Sequence, residues 1–198
     1  DKVKTPYEIV IVDNGSPNQI EEFKNPKYVD KYIRNDENLG VTKAWNQGIR
    51  MSQGEYICLM NNDVMVFDHW LEDLREALQH TDLVVPKPMY GEPFARATEA
   101  SQKRTEWVDK MVGDTFTDFE DFSCALATRK LFNELGLFDE RFFNYCSDGD
   151  FKRRMREAGK KYVCTKKVST FHIIEATAVG IKDTAEQMNK DKDEFRSK

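Results

Sequence analysis

Residues 7–17 read YEIVIVDNGSP, and this stretch sets the fold class. Ile9, Val10, Ile11 and Val12 form an unbroken apolar run that stops at Asp13-Asn14-Gly15-Ser16-Pro17. A strand with one wet face would alternate. A continuous run predicts a strand over Tyr7–Asp13 covered on both faces, as in a parallel sheet. Val29–Asn35 is a second, shorter strand-like piece. After Gly40, the residues Val41, Ala44, Trp45, Gly48 and Ile49 fall at helical spacing, and Gly54 ends that helix. Glu55–Met60 is another apolar strand, and it stops at Asn61-Asn62-Asp63. Trp70, Leu71, Leu74, Ala77 and Leu78 mark the next helix. Leu83, Val84 and Val85 form a strand closed by Pro86 and Pro88.

Residues 87–122 read as a long irregular loop, polar and aromatic. Thr128 is placed to cap a helix over Arg129–Leu135, with Gly136 just past its end. Ser147-Asp148-Gly149-Asp150 has capping-box spacing ahead of a helix over Phe151–Ala158, which Gly159 stops. Tyr162–His172 is strand-like, and the charged tail from Lys182 predicts a surface helix. Strands alternating with helices predict an α/β domain with a mostly parallel central sheet. In such sheets ligands bind beyond the carboxyl ends of the strands. Asp13, Asn61–Asp63 and His172 all sit at such ends.

At 198 residues the chain fits one domain. Lys and Arg number 30 against 35 Asp and Glu, a net charge of −5. That balance argues against a nucleic-acid binder, which shows a basic stripe. No apolar run reaches the roughly 18 residues of a membrane span. Cys58, Cys124, Cys146 and Cys164 include no Cys-x-x-Cys pair, so they read as reduced small hydrophobes rather than a zinc site. Glycine patterns of the dinucleotide or P-loop type are absent, which weakens dehydrogenase and ATPase readings.

Each candidate residue has a plain reading beside a chemical one. Asp13 is a turn aspartate or a carboxylate that accepts hydrogen bonds from a nucleotide. Asn61-Asn62-Asp63 is a turn, or it supplies one oxygen ligand to Mg²⁺ or Mn²⁺. His172 is a structural histidine or a metal ligand. Asp148 and Asp150 complement a helix N-terminus, or Asp148 is a general base.

The order of the motifs is more specific than any one of them. EIVIVDNGSPN, then NDENLGVTKAWNQGI, then GEYICLMNNDVMV, then GLFDERFFNYCSDGDFKRRMREAGKKY and a late histidine together resemble the family 2 glycosyltransferases with a GT-A fold. The likeness is to their rhamnosyltransferase-like subgroup and covers about residues 6–175. It implies one domain: a nucleotide-sugar-binding half over 1–86, an acceptor and catalytic half over 87–180, and a charged tail over 181–198. It implies transfer of a sugar from a nucleotide-sugar, a UDP- or dTDP-sugar ahead of a GDP-sugar, to a glycan or lipid-linked glycan hydroxyl. Transfer would depend on Mn²⁺ or Mg²⁺ and invert the anomeric carbon. Asp148 would be the general base, and Asp63 and His172 would hold the metal. Asp13, Asn14, Gly15, Asn38, Gly40, Lys43, Asn46, Asn61 and Asn62 would bind the donor. Cys124, Ser147 and Trp107 would lie near the sugar and acceptor. The resemblance also implies a cytoplasmic protein, with room for peripheral membrane contact, and leaves the oligomeric state open.

Two departures from the family stand out. Ser147 replaces the usual Glu of its Glu-Asp pair, and the family's first strand and helix, ahead of Val-Asp-Asn-Gly-Ser, are not in this chain. Rival readings are a nucleotidyltransferase, a non-catalytic nucleotide-sugar-binding module and a piece of a larger glycosyltransferase.

Overall fold

The computed structural model describes residues 4–18, 21–90, 116–117, 122–173 and 184–198. In chain order the elements are β1 (Val10–Asn14), a 3-10 turn (Glu21–Lys24), β2 (Lys31–Asn35), α1 (Val41–Met51), β3 (Tyr56–Met60), β4 (Val64–Met65), α2 (Trp70–Leu78) and β5 (Leu83–Tyr90). There follow β6 (Phe116–Thr117), β7 (Cys124–Thr128), α3 (Arg129–Leu135), α4 (Ser147–Glu157), β8 (Tyr162–His172) and α5 (Thr184–Arg196).

β1 and β2 pair in parallel as a two-stranded sheet. The main sheet runs β3-β7-β5-β8-β4, with β6 on β8. β7 is antiparallel to both β3 and β5, and β5 is parallel to β8. Hence β3, β5 and β8 all point the same way, with β7 reversed between the first two. β7 follows directly on the 87–122 segment, where the sequence reading placed no strand. Its five residues are nearly all buried, so they carry no alternation to mark them.

Burial follows the two-residue period of the strands. Ala125 and Ala127 of β7, Ile57 and Leu59 of β3, and Leu83 and Val85 of β5 join Ile49 of α1, Leu131 and Phe132 of α3, and Phe151 and Met155 of α4. Cys124 and Leu126, with Val84, face the other way onto Leu74, Ala77 and Leu78 of α2. Helices therefore cover both faces. The first core is rich in rings: Phe138 stacks on Phe151 at 4.7 Å, and Phe132 lies 5.5 Å from Phe151.

Three boundaries differ from the sequence reading. β1 is half-buried rather than sealed on both faces, and Tyr7 and Ile9 are exposed. β5 runs through Pro86 and Pro88 to Tyr90. Its pairing with β7 covers only Leu83 and Val84, and a residue without an N–H is tolerated where a strand has lost a partner on one side. α4 begins at Ser147 rather than Phe151.

Candidate active site

The carboxyl ends of β3 and β8 meet through β4. The Asn61 N–H donates to the Ser123 carbonyl at 2.8 Å, and the Val64 N–H closes a turn onto the Asn61 carbonyl at 3.3 Å. Val64 then pairs with His172, and the Ile173 N–H donates to the Asp63 carbonyl at 2.9 Å. This ladder fixes both backbones, and Oδ1 of Asp63 comes to 3.3 Å from Nε2 of His172. Both side chains are largely shielded from solvent. Two residues far apart in sequence, each with a plain reading of its own, are thus brought to one point. Asn61 is half-buried in the same turn, and Asn62 is exposed.

Among the described residues no group of three His, Cys, Asp or Glu side chains could hold a metal. A hard cation bound by a carboxylate and an imidazole, and completed by diphosphate oxygens and water, needs no third. The donor set at Asp63 and His172 fits that mode.

Asp13, 8% exposed, ends β1 opposite Arg34 of β2. Its Oδ1 accepts the Ser16 N–H at 2.9 Å, and its Oδ2 accepts the Tyr32 hydroxyl at 2.8 Å and the Arg34 guanidinium. Burial alone would raise the carboxyl pKa. The bonds from the Ser16 backbone, Tyr32, the Ser16 hydroxyl and Arg34 outweigh it and lower the pKa to about 2. Asp13 is therefore both the turn aspartate and an acid ionised at neutral pH. Sequence reasoning missed Tyr32 and Arg34, although their two-residue spacing puts them on one face of β2.

Asn14, Asn38 and Asn46 are occupied by the chain itself. The Asn14 amide donates to Asn38 Oδ1 at 2.9 Å and to the Gly40 carbonyl at 3.1 Å, and its oxygen accepts the Leu39 N–H at 3.0 Å. Gly15, at φ +79°, lets this turn close: a Cβ there would lie 2.5 Å from the Glu37 carbonyl carbon. Asn46, 1% exposed, exchanges bonds with the backbone of Phe138 at 2.9 and 3.0 Å and donates to Glu140 at 2.9 Å. It clamps α1 to the 138–140 segment, so its side chain is engaged within the chain. Lys43 is half-buried on the same helix.

The 138–150 segment carries the candidate base. Gly40 meets it from one side, at φ +89°, and a Cβ there would lie 2.5 Å from the Phe143 carbonyl oxygen. That oxygen accepts the Val41 N–H at 2.7 Å. Cys146, at φ +61°, precedes the first turn of α4 and gives it no side-chain cap. The capping-box reading of Ser147 is therefore corrected: Ser147 is buried inside the helix. Asp150 does not reach back to close a box, because its carboxylate is engaged ahead. Arg153 donates to it at 2.8 Å, Arg154 at 3.1 Å and Lys198 at 3.1 Å. Asp150 is 1% exposed. Asp148 is partly exposed and lines a cavity of about 220 Å³ with Tyr145, Cys146, Gly149, Met188, Lys192 and Phe195. The structure thus separates the two acids into a structural one and an accessible one.

The second turn of α4 packs near the chain that holds the Asn61 turn. The Phe151 ring lies 6.4 Å from Phe122, and the next residue, Ser123, holds Asn61. Cys124 is buried against the α2 side of the sheet. Trp107 lies outside the described residues.

A mixed sheet covered by helices on both faces, with an acid and a histidine meeting at its carboxyl edge, is an α/β domain of the kind that binds ligands beyond its strand ends. The sequence model of Glycosyl transferase family 2 matches residues 3–136, more than half of the chain, and the chain belongs to that family. It is 26% identical over 196 residues to the O-antigen biosynthesis protein RfbC of Myxococcus xanthus, covering 84% of this chain and 15% of that protein. It is 24% identical over 141 residues to an uncharacterized glycosyltransferase of Rickettsia bellii (strain RML369-C), covering 69% of this chain and 20% of that protein. The chain thus spans less than a quarter of either relative.

Its fold matches S. aureus TarS 1-349 in complex with UDP at a TM-score of 0.64 and 15% identity, over 87% of this chain and 54% of that one. It matches GalNAc-T7 with UDP, GalNAc and Mn²⁺ at 0.61 and 17%, over 84% and 37%. At these identities the likeness is one of fold, and the fold is GT-A.

Proposed function

We propose that this chain transfers a sugar from a nucleoside diphosphate sugar to a hydroxyl of a glycan or lipid-linked glycan, with inversion at the anomeric carbon. The observation that carries the reading is the meeting of Asp63 and His172 at 3.3 Å on the carboxyl edge of the sheet. Asp148 stands partly exposed on the helix packed beside that edge. Asp63 and His172 would hold Mn²⁺ or Mg²⁺, which when bound neutralises charge on the leaving diphosphate. The acceptor oxygen attacks the anomeric carbon, and the bond from that carbon to the diphosphate oxygen breaks. The acceptor proton passes to Asp148. Asp13, held ionised, would accept an N–H from the base, which uracil, thymine and guanine each offer. The resemblance favours a UDP- or dTDP-sugar over a GDP-sugar as donor, bound by the first half of the chain up to about residue 86, while 87–180 supplies the acceptor side. Asn14, Gly15, Asn38 and Gly40 act by shaping the pocket rather than by touching the donor.

Nucleotide binding tests the site without knowledge of the sugar. UDP, dTDP and GDP are titrated with and without Mn²⁺ while thermal unfolding is followed. Ligand at a hundred times its Kd stabilises the fold by about 2.7 kcal/mol. For UDP or dTDP with Mn²⁺ that is a Tm rise of about 5 °C or more. The rise should be lost in Asp63→Ala and His172→Ala, and a parental Mn²⁺-dependent rise in those variants sinks the metal assignment. With any UDP- or dTDP-sugar that the parent consumes, Asp148→Asn should slow turnover by roughly 10²–10⁴-fold. No helix among the described residues is long and apolar enough to cross a membrane.

A further inference from the structure

We propose that Asp191 of α5 is a positioning residue for Asp148, which makes the C-terminal helix a working part of the active site. This rests on the reading of Asp148 as the base. α5 is charged and looks like a surface helix, yet Gln187, Met188, Asp191, Glu194 and Phe195 recur at three- and four-residue spacing and form its less exposed stripe. Asp191, at its centre, is 1% exposed. Its carboxylate accepts three consecutive backbone N–H groups: Phe143 at 3.0 Å, Asn144 at 2.9 Å and Tyr145 at 2.7 Å. Gln187, one turn earlier, donates to it at 2.9 Å and fixes its orientation.

A buried carboxylate is costly unless its oxygens are satisfied, and here they are satisfied by the backbone just ahead of α4. A helix that only had to cover this face would do so with an apolar residue. Three N–H bonds instead define where Phe143, Asn144 and Tyr145 lie, and Cys146, in the left-handed region, turns the chain into α4 from there. From the opposite side the same segment is held by Val41 and Gly40. Asp148 is therefore suspended from a backbone gripped between α1 and α5. Met188, Lys192 and Phe195 of α5 also wall the cavity onto which Asp148 opens. The acceptor hydroxyl, entering that cavity, meets a base whose direction α5 has set. Catalysis is sensitive to such placement, because a shift of about 1 Å can cost 10²-fold.

The test uses the full chain with Asp191→Asn, Asp148→Asn and the double variant. The Asn at 191 keeps the volume and one carbonyl oxygen but loses the charge and an acceptor. Amide exchange should rise at Phe143–Tyr145, the ¹³C titration of the Asp148 carboxyl should move, and UDP–Mn²⁺ affinity should stay at the parental value. With any UDP- or dTDP-sugar that the parent consumes, kcat should fall roughly tenfold or more with KM for the donor unchanged. The double variant should be no slower than Asp148→Asn alone. An unmoved Asp148 titration in Asp191→Asn overturns the proposal, as does parental kcat alongside a slow Asp148→Asn. Parental kcat in Asp148→Asn sinks the base assignment instead. Should Asp191→Asn fail to fold, Gln187→Ala removes one orienting bond and should shift the same titration in the same direction. No shift there overturns the proposal.

Discussion

Replacing Asp13 by Asn removes a charge while keeping the shape of the turn at the end of β1. The Asn oxygen still accepts the Ser16 N–H, so the local turn survives, but the ion pair with Arg34 is gone. The size of the effect follows from linkage. The folded carboxyl titrates at about 2 against an ordinary value of 3.8. One pKa unit corresponds to about 1.4 kcal/mol, so the ionised form contributes about 2 kcal/mol to stability. For a carboxyl lowered on folding, that contribution is complete above the unfolded value near pH 4. It fades as pH falls towards 2. Asp13→Asn should therefore lose about 2 kcal/mol at pH 7, or roughly 4–8 °C in Tm, and the gap to the parent should close below pH 4. Urea unfolding of both proteins at several pH values between 2.5 and 7 reads this directly. Glu8, Glu134, Asp139 and Glu140 are lowered too, but they titrate in both proteins and cancel in the difference. A loss that stays the same from pH 7 to pH 2.5 would refute the argument, because the effect would then come from packing and not from charge.

Asp150→Asn strips the buried counter-charge from Arg153, Arg154 and Lys198. It should cost about 3 kcal/mol or more by chemical denaturation at pH 7, whereas a loss under 1 kcal/mol would mean the cluster is screened by solvent. Gly40→Ala places a methyl against the Phe143 carbonyl and ring in a backbone region unsuited to a side chain. Its expected cost is about 2 kcal/mol or more, with increased amide exchange at Val41, and a neutral result would show that the 143 segment yields freely.

Much of the fold was legible locally. Strand and helix periods placed β1, α1, β3, α2 and β8 within a few residues, because each pattern is written in adjacent side chains. The Thr128 cap and the Gly136 stop of α3 were read correctly for the same reason. β7 was not, since a strand buried on both faces with small residues has no alternation to display. Ser147 misled because its spacing to Asp150 matched a capping box, while Arg153 and Arg154, on the next turn, drew Asp150 away.

The sequence by itself determined the family, the α/β class and the acids at strand ends, since each of these is a matter of residue order and local period. Only the tertiary structure decided what those residues touch. The ladder between β4 and β8 brings Asp63 to His172, and the pairing of β1 with β2 puts Arg34 on Asp13 and holds it ionised. Asp148 and Asp150 stand two residues apart on one helix turn, yet one opens on a cavity and the other is sealed under three cations. Asp191 reads as one more charge in a charged tail until α5 docks. Burial and partner choice are set by contacts between distant segments, and no short stretch of sequence encodes them.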